Sequence, residues 1–198
     1  MMKKTMLLSL VAAVALAGTA QAQTGTLPTS PLSVDVRAGA AFPTGDFGDI
    51  AEMGYTVGGD LSFMLSPTFS LYAGGTYNSF AVADEFQELI EGLTGAQLDD
   101  LTYNLFGVDA GVKVAFPSAT GFTPFLRGGL VYYTAELGGG DELGEDVTED
   151  NDYEAGFEVG GGLAFPLGPR ISVTPAVSYT DIDDLNFVRA QIGLNFRF

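Results

Sequence analysis

The segment Gln191-Ile192-Gly193-Leu194-Asn195-Phe196-Arg197-Phe198 alternates strictly between apolar and polar residues and runs out on an aromatic. Extended upstream, Val188, Ala190, Ile192, Leu194, Phe196 and Phe198 fall on one face, and Phe187, Arg189, Gln191, Gly193, Asn195 and Arg197 on the other. A period of two describes a β-strand between two different environments. An apolar strand end of this kind aggregates if left frayed in water. Paired on both edges and facing lipid, as in the last strand of a closed membrane barrel, it is satisfied.

At these residues the chain resembles the small bacterial outer-membrane β-barrels. The pattern formed by Gln191, Gly193, Phe196 and Phe198 is similar to the terminal signal that such barrels present to the barrel assembly machinery. The stretch Ala40-Ala41-Phe42-Pro43-Thr44-Gly45-Asp46-Phe47, followed by Gly54 and Gly59, resembles the first hairpin of porin-like, OmpA/OmpX- and opacity-type barrels. The resemblance implies an all-β, eight-stranded antiparallel transmembrane barrel in a Gram-negative cell envelope. It implies location and architecture well and individual function poorly.

The amino terminus fits export. Met1 to Ala22 carries Lys3 and Lys4, an apolar run from Met6 to Ala17, and Ala20-Gln21-Ala22, the layout of a cleaved signal peptide. The expected division is therefore 1–22 signal peptide, 23–31 a short lead-in, and 32–198 the barrel. No later stretch reaches the roughly 20 apolar residues of a spanning helix. Mean hydropathy is nevertheless +0.24 despite a formal charge of −17. An apolar exterior with acids gathered elsewhere reconciles the two.

The alternation gives strands over about 32–42, 55–65, 69–81, 104–116, 122–135, 157–165, 171–179 and the C-terminal segment. The fifth is ambiguous in phase, because both of its faces are largely apolar. Short connections follow the second, fourth and sixth strands. Mostly longer ones follow the others, as expected for short periplasmic turns and longer external loops. Outward aromatics gather at two heights, Phe42, Tyr55, Tyr77 and Phe106 near one rim and Phe69, Phe116, Phe122 and Phe165 near the other, which matches interfacial girdles. Pro175 falls mid-strand in the seventh segment, where its missing N–H demands a bulge or a local break.

The inward phase collects Asp35, Arg37, Asp60, Asp109, Lys113, Glu158, Arg189 and Arg197, with Arg127 if the fifth strand turns it inward. An eight-stranded barrel is just wide enough for side chains to fill, so these charges should pair, since an unpaired buried charge is costly. The expectation is a lumen plugged by salt bridges, with a narrow porin-like path for ions or small solutes as the alternative. A soluble lipocalin-like binder is a third reading.

Twenty of the 25 acids fall in the four longer connections, with no Lys or Arg among them. Nucleic-acid binding is excluded by that sign. The external carboxylates offer oxygen ligands of the kind that divalent cations take as partners. Asp150, Asp152 and Glu154 begin like a calcium loop, but Gly161 stands where the closing Glu belongs. In the second loop Phe86, Leu89, Ile90 and Leu93 follow helical spacing after Asp84. Without His or Cys the usual general base, thiol nucleophile and transition-metal ligands are missing, so neither catalysis nor a cofactor is expected. The expected role is structural or surface-interacting, with outer-membrane lipid as the certain neighbour of such a barrel.

Overall fold

In the computed structural model, which describes residues 31–83, 101–118, 121–138, 153–183 and 185–198, eight antiparallel strands close into one barrel, each paired with its sequence neighbours and β1 with β8. The strands are β1 (Leu32–Thr44), β2 (Gly54–Met64), β3 (Phe69–Ala81), β4 (Thr102–Ala115), β5 (Thr123–Gly138), β6 (Tyr153–Pro166), β7 (Ile171–Ile182) and β8 (Leu185–Arg197). The expected signal peptide and lead-in through residue 30, and the helical spacing of the second loop, lie outside the described residues.

Stepping between paired residues from Ser33 through Ser62, Tyr72, Gly111, Gly129, Glu158, Thr180 and Phe187 returns to β1 at Pro43. The return point is 10 residues along the strand, and this stagger is what closes the sheet. With ~4.8 Å between strands and ~3.3 Å rise per residue it inclines them by roughly 40°, the tilt of membrane barrels.

The sequence phase maps onto the wall. Outward Val36, Leu61, Val108, Leu130 and Ile192 are exposed, Leu130 by 75%, while inward Asp35, Arg37, Asp60, Asp109 and Glu158 are buried. Such inversion is stable only with lipid outside. Aromatics stack along both rims, with Tyr55 to Tyr77 at 5.9 Å, Tyr77 to Phe106 at 4.7 Å, and Phe122 to Phe165 at 5.9 Å between ring centroids. The phase of β5 is settled by its exposed Leu126, Leu130 and Tyr132 against its buried Phe125, Val131 and Tyr133.

Three differences from the sequence expectation stand out. β5 runs on to Gly138, opposite Thr102 of β4, and β6 starts at Tyr153, opposite Thr134, so both exceed the expected segments, and Glu154 lies in a strand rather than a loop. The connection after β7 is only residues 183–184, because β7 and β8 pair as far as Ile182 with Leu185; Asp183 takes the positive φ of 46° that a two-residue hairpin requires. Finally, the first external connection carries a short 3-10 helix, Gly45–Asp49.

Pro175 produces a break and no bulge. β7 pairs with β8 without interruption, but pairing with β6 stops at Gly162–Ala176 and resumes at Phe165–Val173 in the same register. The missing pairs include Leu163 opposite Pro175, where the donor is absent. Pro175→Val supplies that donor. We expect amide exchange at Leu163 and Ala164 to slow by about ten-fold, the worth of one hydrogen bond, with no change of register. Unaltered exchange in the variant would mean the break has another cause.

Candidate functional site

Alternation sends one side chain in two into the lumen, and the stagger decides which of them meet. Asp60 on β2, Asp109 on β4 and Glu158 on β6 converge on Arg37 of β1, Arg127 of β5 and Arg189 of β8. Arg127 is the hub. Its Nη1 donates to Asp60 at 2.9 Å and its Nη2 to Asp109 at 2.7 Å. Its Nε lies 3.0 Å from Glu158 Oε1, an ion-pair contact without hydrogen-bond alignment. The guanidinium also stacks 4.1 Å above the Tyr72 ring, and a Cβ on Gly111 or Gly129 would stand 2.8 or 2.7 Å from the Tyr72 hydroxyl, so glycine makes room for it.

Arg37 grips Asp60 with both terminal nitrogens, Nη2 to Oδ1 at 2.9 Å, and reaches Asp109 at 3.8 Å. Arg189, only 1% exposed, pairs with Glu158 and donates to Tyr133 Oη at 3.3 Å and Thr180 Oγ1 at 3.2 Å. Three carboxylates and three guanidinium groups thus form one charge-balanced ladder across six strands' worth of wall. Pairing offsets the desolvation of each member, and loss of one leaves its partners uncompensated.

Three of the charges expected to pair do not join the ladder. Asp35 sits directly opposite Asp60 and accepts instead from Thr174 Oγ1 at 3.2 Å. Lys113 sits directly opposite Arg127, which already holds the acids; its Nζ lies 4.3 Å over the Phe125 ring. Arg197 is the last residue of β8 and is exposed at the rim. Like charges set directly opposite repel, which turns the first two aside. Below the ladder, a small cavity of about 30 Å³ is lined by Asp35, Ser62, Lys113, Phe125, Thr174 and Gln191 with ladder side chains as its roof.

Above the ladder the lumen is apolar, which the sequence reading missed. Phe47, from the 3-10 helix, drops into the external mouth and is 1% exposed beside Phe80, Leu105, Ile182 and Phe187, all at 0%. The rings meet edge to face, Phe47 with Phe80 at 5.1 Å and Phe80 with Phe187 at 5.6 Å. The connection that carries Phe47 is tied to the end of β3: Glu52 N donates to Ala81 O at 2.8 Å and Ala83 N to Ile50 O at 3.0 Å, around an Ala51–Val82 bridge. The available signal was the run of inward-phase apolar residues at the external strand ends, Phe80, Leu105, Tyr133 and Phe187.

Of the C-terminal pattern, Gln191 is buried and donates to Thr56 Oγ1 at 3.2 Å. Gly193 lies against Asp35 and Thr174, Phe196 pairs with Val34 and Ile171, and Phe198 is 62% exposed. Asp150 and Asp152 lie outside the described residues. Among the described residues no group of three or more carboxylates is placed to hold a metal ion.

The hub predicts an unequal mutational response. Arg127→Ala leaves three acids to share Arg37 and Arg189, one charge uncompensated, and should cost about 3–5 kcal/mol. Lys113→Met, outside the ladder, should cost no more than about 2 kcal/mol, the worth of a desolvated cation–π contact. Urea unfolding in lipid vesicles checks both; equal effects would dissolve the distinction between ladder and bystander.

The same architecture recurs among solved structures. The Neisserial surface protein A structure is 13% identical, with a TM-score of 0.61, covering 85% of this chain and 98% of its own. OprG from Pseudomonas aeruginosa is 12% identical with a TM-score of 0.53, covering 85% and 98%. Ail, the attachment invasion locus protein of Yersinia pestis, solved with the heparin analogue sucrose octasulfate, is 14% identical with a TM-score of 0.51, covering 86% and 100%. At such identity these likenesses show the fold alone. No curated protein sequence matches the chain. The family model described as the outer membrane protein beta-barrel domain matches residues 9–198, so the chain belongs to the outer-membrane β-barrel family.

Proposed function

We propose that the protein is a closed outer-membrane barrel with a structural and surface-interaction role, rather than a solute path. The observation that carries this reading is two closures in series: the edge-to-face aromatic cap at the external mouth and the ion ladder beneath it. They resist a solute by different physics, one by packing and dehydration, the other by fixed paired charge. The cavity under the ladder is then a blind vestibule. With Asp60, Asp109 and Glu158 occupied by arginines and no His or Cys in the chain, the ladder offers catalysis no free acid–base pair.

Activity would then reside in the external connections, whose acids give that face its sign. A polyanion of the kind seen with Ail meets repulsion there. Cationic partners, or divalent ions bridging to anionic headgroups, suit it. Gln191, Gly193, Phe196 and Phe198 would serve the assembly machinery only before closure, because Gln191 and Gly193 end up inside. Membership of the outer-membrane family leaves the soluble binder without support.

Conductance in a planar bilayer tests the closure. The inserted protein should be silent, and Arg127→Ala alone should stay silent behind the cap. Arg127→Ala combined with Phe47→Ala should show discrete openings. Openings in the unaltered protein would give the lead to the narrow-channel reading.

A further inference from the structure

Apart from the lysines near the amino terminus, the cations outside the lumen are Arg170 and Arg197, and both stand on one rim. Arg170 ends the β6–β7 turn and Arg197 ends β8; the Arg197 N–H donates to the Arg170 carbonyl at 2.8 Å. The β7–β8 register, which pairs Ile171 with Phe196, makes these arginines the next opposed pair. Both are exposed, and no carboxylate among the described residues pairs with either. Like charges directly opposite each other repel, so this pair calls for a counter-charge that no Asp or Glu among the described residues supplies.

The surroundings specify what kind of counter-charge fits. The connections at this end, residues 65–68, 116–122 and 167–170, contain neither Asp nor Glu. The neighbours of the pair in sequence on the lipid-facing phase are apolar and exposed: Leu167 by 69%, Phe198 by 62% and Ile171 by 40%. This is the level of the periplasmic aromatic girdle, with Phe165 close by on β6. An anion with an apolar body satisfies both features at once, whereas a free ion or an acidic peptide uses only the arginines. Guanidinium groups match phosphate oxygens in geometry and stay charged at any physiological pH.

We propose that Arg170 and Arg197 together hold the phosphate of an anionic phospholipid drawn from the periplasmic leaflet, with its acyl chains against Ile171 and Phe198. The inference rests on the membrane placement of the barrel.

The test is a nuclear magnetic resonance titration of the refolded barrel with dihexanoylphosphatidylglycerol. Parallel arms use dihexanoylphosphatidylcholine and inorganic phosphate. Saturable shifts confined to amides of residues 167–171 and 196–198 are expected with the anionic lipid. The double variant Arg170→Gln/Arg197→Gln should weaken them by roughly 25-fold, at about five-fold per basic residue beside an anionic headgroup. Equal shifts with the choline lipid would overturn the charge recognition. Equal shifts with inorganic phosphate would overturn the lipid as source. Heat-modifiable gel migration scores folding separately. A folded barrel indifferent to all three ligands overturns the lipid site and leaves the barrel reading standing; a chain that never folds into membranes overturns both.

Discussion

Closure of the sheet is the constraint from which the other features follow. In hydrocarbon every backbone donor and acceptor must be met within the protein, and a sheet meets them only by joining its first strand to its last. The β1–β8 ladder from Ser33–Arg197 to Thr44–Asn186 does so. Closing with a stagger of 10 residues tilts the strands, fixes the radius, and decides which inward residues face one another. Arg127 reaches Asp60, Asp109 and Glu158 on three other strands because of that stagger, not because of proximity in sequence. A shift of one residue in any pairing would send those charges into lipid.

The interior is layered. At the external end, buried aromatics contribute by area and edge-to-face geometry. In the middle, burial of six charges is offset by mutual contact, a balance that yields little net stability but penalises any missing member. At the periplasmic end the polar vestibule keeps Asp35 and Lys113 out of the ladder, each held by a neutral partner. The layers fail by different routes. Shrinking a cap residue leaves a cavity, whereas neutralising a ladder residue leaves a stranded charge.

What the sequence showed and concealed divides along the same physics. Where one face of a strand is lipid and the other polar, the period of two is clean, and β3 runs over the expected residues 69–81. The inward charges were visible for the same reason, including Arg127 once its phase is chosen. Near the external mouth the lumen is itself apolar, so alternation fades, and Phe80, Leu105 and Phe187 show only as apolar residues on the inward phase. Phe47 is least legible of all, since it lies in an acidic connection and its burial depends on a 3-10 turn stitched to β3. The two-residue turn at Asp183 was hidden because its residues are acidic rather than Asn-Gly. Which of the nine inward charges would pair was equally hidden, because it depends on the stagger and on like-charge oppositions such as Asp35–Asp60, which no single strand reveals.

The lumen charges act as one coupled unit. The decisive measurement of that coupling is a double-mutant cycle on Arg127→Met and Asp109→Asn, read by urea unfolding in lipid vesicles. Coupling predicts that the two losses fall short of additivity by at least about 1 kcal/mol. Additivity within about 0.5 kcal/mol would contradict it, leaving Arg127 as one more independent residue in the wall.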